Sequence, residues 1–245
     1  MSEMTDDQQR VLWVIGASSG MGRSAALAAA DAGRTVVLSG RRVERLEEVA
    51  SRIAAAGGRA TVLPGDTRDP AWAARSVETI ATGLGRLDEV VAASGLNSPQ
   101  RRWDDQTMAG FEDVVATNLV GTVRVIDAAL PSLRVRGGTV VVVSSYSAWT
   151  FAPGAGVAYS ASKAALGSLC RTLNAQEADH GIRATHLCPG DVDTEFLAHR
   201  PVVPDEDARA VMLSPDDVAR SVLHVLDAPP HIRIDELVIS PLSQR

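Results

Sequence analysis

The sequence predicts an α/β fold built on a parallel sheet, and three observations carry that reading. Short β-branched runs alternate with longer alanine-rich stretches from residue 11 onward, the rhythm of strands joined by crossover helices. Most of those runs are continuously apolar, as strands covered on both faces should be. A glycine-rich turn follows the first run directly and opens the first helical stretch.

In chain order, strands are expected over residues 11–15, 35–39, 60–63, 87–92, 139–144, 183–188 and 236–239. Helices fit between them over 21–32, 43–56, 70–82, 108–133, 158–180 and 215–226, where apolar residues recur at three and four. Gly33, Gly57-Gly58 and Gly181 stand where helices should stop, because glycine accepts the left-handed conformation. Ser214-Pro215 with Asp216 and Asp217 should open the last helix. Residues 1–10 read as a polar tail and 11–245 as one domain, a length within the range of single α/β domains. The least regular segment, 194–213, contains Pro201 and Pro204 and follows the sixth strand. Loops at the carboxyl ends of parallel strands border ligand crevices, so it is read as a substrate lid.

Composition narrows the function classes. With 45% apolar and 22% charged residues the chain has material for a large core and a charged surface. A net charge of -6, with no long Lys/Arg block, argues against nucleic acid as a partner. The tail is acidic, and no run approaches the ~20 apolar residues of a membrane span, so no membrane partner and a cytoplasmic location are expected. Cys170 and Cys188 fall in helix and strand patterns and read as buried thiols, without disulfide or metal. His180, His186, His199, His224 and His231 show no ligand spacing, so no metal is expected; His199, in the lid, is a candidate to touch substrate.

Two constellations carry chemistry. The first is Gly16-Ala17-Ser18-Ser19-Gly20-Met21-Gly22, between strand and helix, where glycines let backbone approach a pyrophosphate and helix N–H groups attract the anion. The second strand then ends in Ser39-Gly40-Arg41-Arg42. An acidic residue there would bond a free ribose 2′-hydroxyl, whereas arginine pairs with a 2′-phosphate, so the expected cofactor is NADP(H). The second constellation is Ser144-Ser145-Tyr146-Ser147 followed by Tyr159 and Lys163. Four residues apart on a helix, Tyr159 and Lys163 share a face, where the ammonium would lower a phenol pKa that is ordinarily near 10. Ser145, at a strand end, is placed to hold a substrate oxygen, with Ser144 and Ser147 as neighbouring competitors. Arg101, Arg102 and Trp103 read as a solvated loop, the far wall of the crevice being their other reading.

In order and spacing, Gly16/Gly20/Gly22, Ser145, Tyr159 and Lys163 resemble the short-chain dehydrogenase/reductase family over nearly the whole chain. That resemblance implies a doubly wound Rossmann-type sheet of seven parallel strands with helices on both faces, in dimers or tetramers. It implies a tetrad of Asn118, Ser145, Tyr159 and Lys163. Tyr159 would be the general acid/base, Ser145 would orient the substrate oxygen, Lys163 would bind the nicotinamide ribose, and Asn118 would hold a relay water. It places Ser18 and Arg41 at the 2′-phosphate, with Ser19, Gly20, Met21, Gly22, Gly40 and Arg42 alongside, and Asp66 and Thr67 at adenine. Gly95 is left for close backbone approach, and Pro189, Gly190, Val192 and Thr194 cradle the nicotinamide. A small alcohol or ketone would meet Ser145, Tyr159 and Phe196. The chain departs from the family where Ala92-Ala93-Ser94-Gly95 replaces Asn-Asn-Ala-Gly, which keeps open a dinucleotide-binding protein with little turnover. A sugar-nucleotide epimerase relative, the third reading, usually has a longer chain and a different glycine spacing.

Overall fold

The computed structural model describes residues 10–244. β1 (Val11–Ile15), β2 (Thr35–Ser39), β3 (Arg59–Val62), β4 (Glu89–Ala92), β5 (Gly138–Val143), β6 (Ile182–Pro189) and β7 (Glu236–Ile239) make one sheet. Its order is β3-β2-β1-β4-β5-β6-β7, and every neighbouring pair is parallel. The connecting helices are α1 (Gly20–Asp31), α2 (Val43–Ala55), α3 (Trp72–Leu84), α4 (Met108–Val115), α5 (Gly121–Leu133), α6 (Tyr146–Trp149), α7 (Val157–Gln176), α8 (Glu206–Ala210) and α9 (Pro215–Leu226).

Strand side chains alternate between the two faces, which sorts the core into two layers. Trp13, Ile15, Val37, Val90, Val140 and Val142 pack against α3, α5 and α7. Leu12, Val14, Val36, Leu38, Val91 and Val141 pack against α1, α2 and α9. The large aromatics keep their polar ends bonded: Trp13 Nε1 donates to Ser39 Oγ at 2.9 Å and Trp72 Nε1 to the Pro64 carbonyl at 3.0 Å. Strand order reverses between β1 and β4, and the crevice opens there, outside the carboxyl ends.

The elements depart from the expected boundaries for local reasons. The third helix starts at Trp72 rather than residue 70 because the Asp69 carboxylate accepts the Ala71 N–H at 2.9 Å, and Gly85 ends it in the left-handed conformation. The fourth strand is shorter than expected, and the helix expected over 158–180, α7, stops at Gln176, with a 3-10 turn at Ala178–His180 ahead of Gly181. The helix expected over 108–133 is continuous but carries one π turn, Ala116–Val120, between α4 and α5. At 26 residues it is long and apolar enough to cross a membrane, yet Val125, Ile126, Ala129 and Leu133 are buried in the core. Two short helices, α6 and α8, had no sequence signal of their own.

At the opposite end from the crevice, the buried Arg34 bonds Glu89 at 2.7 Å and Asp227 at 2.7 Å, tying β4 and the end of α9 to the start of β2. Burial works against its charge, but the two carboxylates more than offset that and raise its pKa. Glu89 is only 1% exposed, so removing its main cation strands a buried charge. Arg34→Leu should lower stability by about 3 kcal/mol in denaturant unfolding. Adding Glu89→Leu to it should recover part of the loss; a single variant as stable as the parent would contradict this account.

Candidate functional site

The crevice is a cleft of about 360 Å³ floored by the ends of β1, β2, β4 and β5 and walled by the segment after β6. Its β1 side is the glycine turn. A Cβ on Gly16 would lie 2.9 Å from the Ala93 carbonyl, and one on Gly22 only 2.3 Å from the Gly16 oxygen, so the turn closes only without side chains. Ser19 precedes α1 without capping it, and no acidic residue stands in its first turn. By contrast, α9 is capped by Ser214 and Asp217. The first-turn N–H groups of α1, which lines the cleft from Gly20 to Gly22, thus have no side-chain partner, and a helix start in that state suits an anion.

Arg41 and Arg42 are exposed on the rim beyond β2. Arg42 donates to Ser18 Oγ at 3.0 Å and Ser19 Oγ at 2.5 Å, and pairs with Glu195 on the opposite lip at 3.1 Å. Glu195 also bonds Arg45 at 2.5 Å, and these two arginines, Arg45 first, hold its carboxyl below the usual range. Asp66 is gripped by Arg68 at 2.9 Å, which likewise lowers its pKa. The donor set fits the pyrophosphate of a dinucleotide, with the N–H groups of the α1 start facing it.

At the far end of the cleft, Tyr159 and Lys163 project from α7. Tyr159 is half-buried and hydrogen-bonded to Ser145, which starts α6 just beyond β5. Ser145 Oγ accepts the Ser147 N–H at 3.2 Å and the Ser147 hydroxyl at 3.0 Å, which leaves its own proton to donate. Ser144 is buried and bonds the Lys163 carbonyl, so of the three serines Ser145 is the one that meets the phenol. Lys163 Nζ lies 5.8 Å from the Tyr159 ring centre and donates to the Val143 carbonyl at 3.0 Å. The Phe196 ring, 6.0 Å from that of Tyr159, and the neighbouring His199 form the lid side.

The short chain dehydrogenase profile matches residues 10–202. The chain belongs to the short chain dehydrogenase family. It is 33% identical to an uncharacterised oxidoreductase of Staphylococcus saprophyticus over 98% of this chain and all of that one. It is also 32% identical to the glycine betaine reductase of Emericella nidulans over 95% of this chain, which spans only 19% of that larger protein. An alcohol dehydrogenase of Thermococcus sibiricus complexed with 5-hydroxy-NADP superposes with a TM-score of 0.87 at 30% identity, covering 96% and 98% of the two chains. A short chain dehydrogenase of Mycobacterium paratuberculosis bound to NAD gives 0.82 at 26% identity, covering 94% and 96%.

In this short chain dehydrogenase the cleft gathers Gly16, Ser18 to Gly22, Gly40, Arg41, Arg42, Asp66, Thr67, Gly95, Tyr159, Lys163, Thr194 and Phe196. Ser145 stands just behind that wall, bonded to Tyr159. Pro189, Gly190 and Val192 are not on it: Pro189 ends β6 in the core, Gly190 packs by Pro241 and Gln244, and buried Val192 bridges to Leu213. Asn118 is fully buried in the π turn. Both its amide hydrogens are used, toward the Leu96 carbonyl at 2.9 Å and Ser162 Oγ at 3.1 Å, and its Oδ1 takes the Leu96 N–H at 2.7 Å. Its side chain therefore clamps the loop after β4 to α7. Arg101, read from sequence as solvated, is buried, while Arg102 and Trp103 are exposed.

Histidine spacing gave no sign of one cluster that the fold assembles, in which His186, Cys188 and Glu236 lie within 4.8 Å of one another. His186 Nδ1 bonds Glu236 at 3.0 Å, and Cys188 Sγ sits 3.4 Å and 3.6 Å from the two ring nitrogens. Near-equal distances put the sulfur against the ring, out of line with either nitrogen, so this is a histidine–carboxylate pair with a thiol packed on it. Burial pushes the thiols of Cys170 and Cys188 up to about 12.

The electrostatics of the pair on α7 correct the expectation drawn from spacing. Burial of the phenol end raises the Tyr159 pKa, and the groups that pull it down are Ser145, Arg101 and Arg200, not Lys163. Lys163 is itself buried and drops to about 8, so near that pH only part of the protein carries the ammonium. It is the single lysine among 24 Lys and Arg residues. A compact ammonium that gives up its proton on burial cannot be replaced by guanidinium. With lysine labelled at Cε with ¹³C, one side-chain resonance should titrate with a midpoint near 8; a midpoint at 10.5 would refute the burial account. The unfolded chain holds this proton up to 10.5 and the folded chain only to about 8, so unfolding takes up a proton in that window and stability rises with pH. Lys163→Met should accordingly stabilise the fold at pH 7, by about 1–3 kcal/mol, with the gain shrinking between pH 8 and 10.5.

Proposed function

We propose that this dehydrogenase moves a hydride between NADP(H) and the carbonyl or secondary alcohol carbon of a small molecule, with Tyr159 as the general acid/base. The observation that carries the reading is one continuous cleft. It joins an uncapped helix start and a doubly arginine rim at one end to a serine-bonded tyrosine at the other. The bound dinucleotide supplies or accepts the hydride; the chain binds, orients and moves the proton. Ser145, with its oxygen already satisfied by Ser147, turns its one proton from the phenol to the substrate oxygen and fixes it beside Tyr159. In reduction Tyr159 gives its proton to that oxygen, and in oxidation it takes the proton back. Lys163 is held by the Val143 carbonyl at the level of Gly95, whose missing Cβ would lie 3.7 Å from Nζ, leaving room there for a ribose.

The phosphate preference follows from Arg41 and Arg42. Arg42 and the hydroxyl of Ser18 already form one half of a phosphate site, Arg41 extends it on the rim, and a 2′-phosphate would compete with Glu195 for Arg42.

Titration with NADPH and NADH, then absorbance across a panel of ketones and aldehydes, tests the reading. Tyr159→Phe should cut turnover by roughly 10²- to 10⁴-fold while NADPH still binds. Loss of binding instead would undo the division of roles. Arg41→Ala should weaken NADPH by about 1.5–3 kcal/mol and leave NADH little changed; equal losses for both cofactors would overturn the phosphate assignment.

A further inference from the structure

Two arginines are buried among the described residues, and they are treated differently. Arg34, 5% exposed, meets two carboxylates. Arg101, 8% exposed, meets only backbone oxygens: those of Ser98 at 2.8 Å, Gly154 at 3.4 Å and His199. A guanidinium has five N–H donors, so one on each terminal nitrogen is left unused; no carboxylate bonds it, and Asp105 acts on its charge only at longer range. A charge in that condition is costly unless an anion joins it.

The surroundings bring that charge up behind the reacting end of the cleft, against the lid residue His199 that lines it. Arg101 lies in the loop between β4 and α4, and its stem packs on Gly156, where an added Cβ would fall 2.5 Å from Arg101 Cβ. Its carbonyl accepts the Val157 N–H at 3.0 Å, at the first residue of α7, two before Tyr159. Its guanidinium reaches the lid at His199, whose ring is 5.3 Å from Phe196, which in turn packs on Tyr159. Arg200, the next lid residue, adds a second cation, paired with Asp191. Both arginines are felt by the Tyr159 phenol.

Resting on the reading of this cleft as a hydride-transfer site, we propose that Arg101 selects a substrate bearing a carboxylate, a hydroxy or keto acid whose acid group lies beside Arg101 while its reacting carbon lies at Tyr159. The carboxylate takes the unused N–H groups and is chemically unchanged. In reduction the keto carbon gains the hydride of the reduced nicotinamide and the keto oxygen gains the Tyr159 proton, giving the hydroxy acid.

The test compares 2-, 3- and 4-hydroxy acids with the methyl ester of each. Calorimetry on protein loaded with NADPH is used, because a reduced cofactor and a reduced substrate cannot react; the same titrations are repeated without cofactor. At least one acid should bind roughly 10- to 100-fold more tightly than its ester, the range expected for a charge-assisted pair. Arg101→Met should erase that advantage, and Arg101→Lys should keep part of it. A merely structural arginine would, on removal, weaken acid and ester alike and leave their ratio unchanged, which would overturn the proposal, as would the absence of any acid preferred to its ester. Acid binding through Arg101 in a protein that takes up neither NADPH nor NADH would instead remove the hydride-transfer reading and leave the anion site standing.

Discussion

Everything functional in this chain depends on how closely the end of β1 can approach the end of β4. Gly16 adopts a φ of 84°, and the place of its Cβ is already taken by the backbone of Ala93 and Ser94. Because the turn passes so near, α1 begins directly over the switch point of the sheet, with Gly22 lying on the Gly16 carbonyl. An alanine at either position would push the helix away from the strands and carry its N–H groups off the floor of the cleft. The packing of α1 uses the same economy of volume: Ala25, Ala26 and Ala29 bury its inner face against the sheet beside α9.

Burial then sets the chemistry of the other end. Enclosing Tyr159 and Lys163 moves both away from their charged forms, the phenol up and the ammonium down to about 8, so in this structure neither ionises the other. Anionic character at the phenol is favoured instead by a serine that donates to it and by the more distant arginines. Those arginines come from the two loops bordering the substrate end, after β4 and after β6. An anion that neutralised Arg101 would reduce the positive field at Tyr159 and favour its protonated form, so on the reading proposed above substrate selection and proton transfer would be electrically coupled.

The sheet was legible because strands covered on both faces read as unbroken β-branched runs, and two helix ends were legible because Gly33 and Gly57 mark them. The glycine turn and the Tyr159/Lys163 spacing were legible for the same reason: each is a local pattern whose chemistry sits within a few residues. What escaped is what depends on residues far apart in the chain. Arg101 reads as an ordinary charged loop residue, since nothing nearby reveals that Gly156 will make space for its stem and His199 will close over it. Glu195 reaching Arg42, and His186 meeting Glu236 across β6 and β7, are pairings of the fold and not of the sequence. The single lysine was a readable signal that spacing alone passed over.

The segment Ala92-Ala93-Ser94-Gly95, without the family's usual amides, is the feature that most favoured a protein with little turnover, and the surrounding contacts weaken that case. The missing side chains leave the loop without its own bracing, but Asn118 supplies bracing from the opposite side, holding both the N–H and the carbonyl of Leu96. One residue further on, Asn97 donates to the Ala155 carbonyl at 3.0 Å, and the Arg101 carbonyl takes Val157. The loop is thus fastened to the π turn through Leu96 and, at two points, to the approach and start of α7, the helix that carries the tyrosine. Ala93 places its methyl carbon 3.3 Å from where a Gly22 Cβ would lie, filling space beside the turn that a longer amide would have to leave. The bracing has moved from the strand end to the π turn, and the π turn is what brings Asn118 into reach of both Leu96 and Ser162.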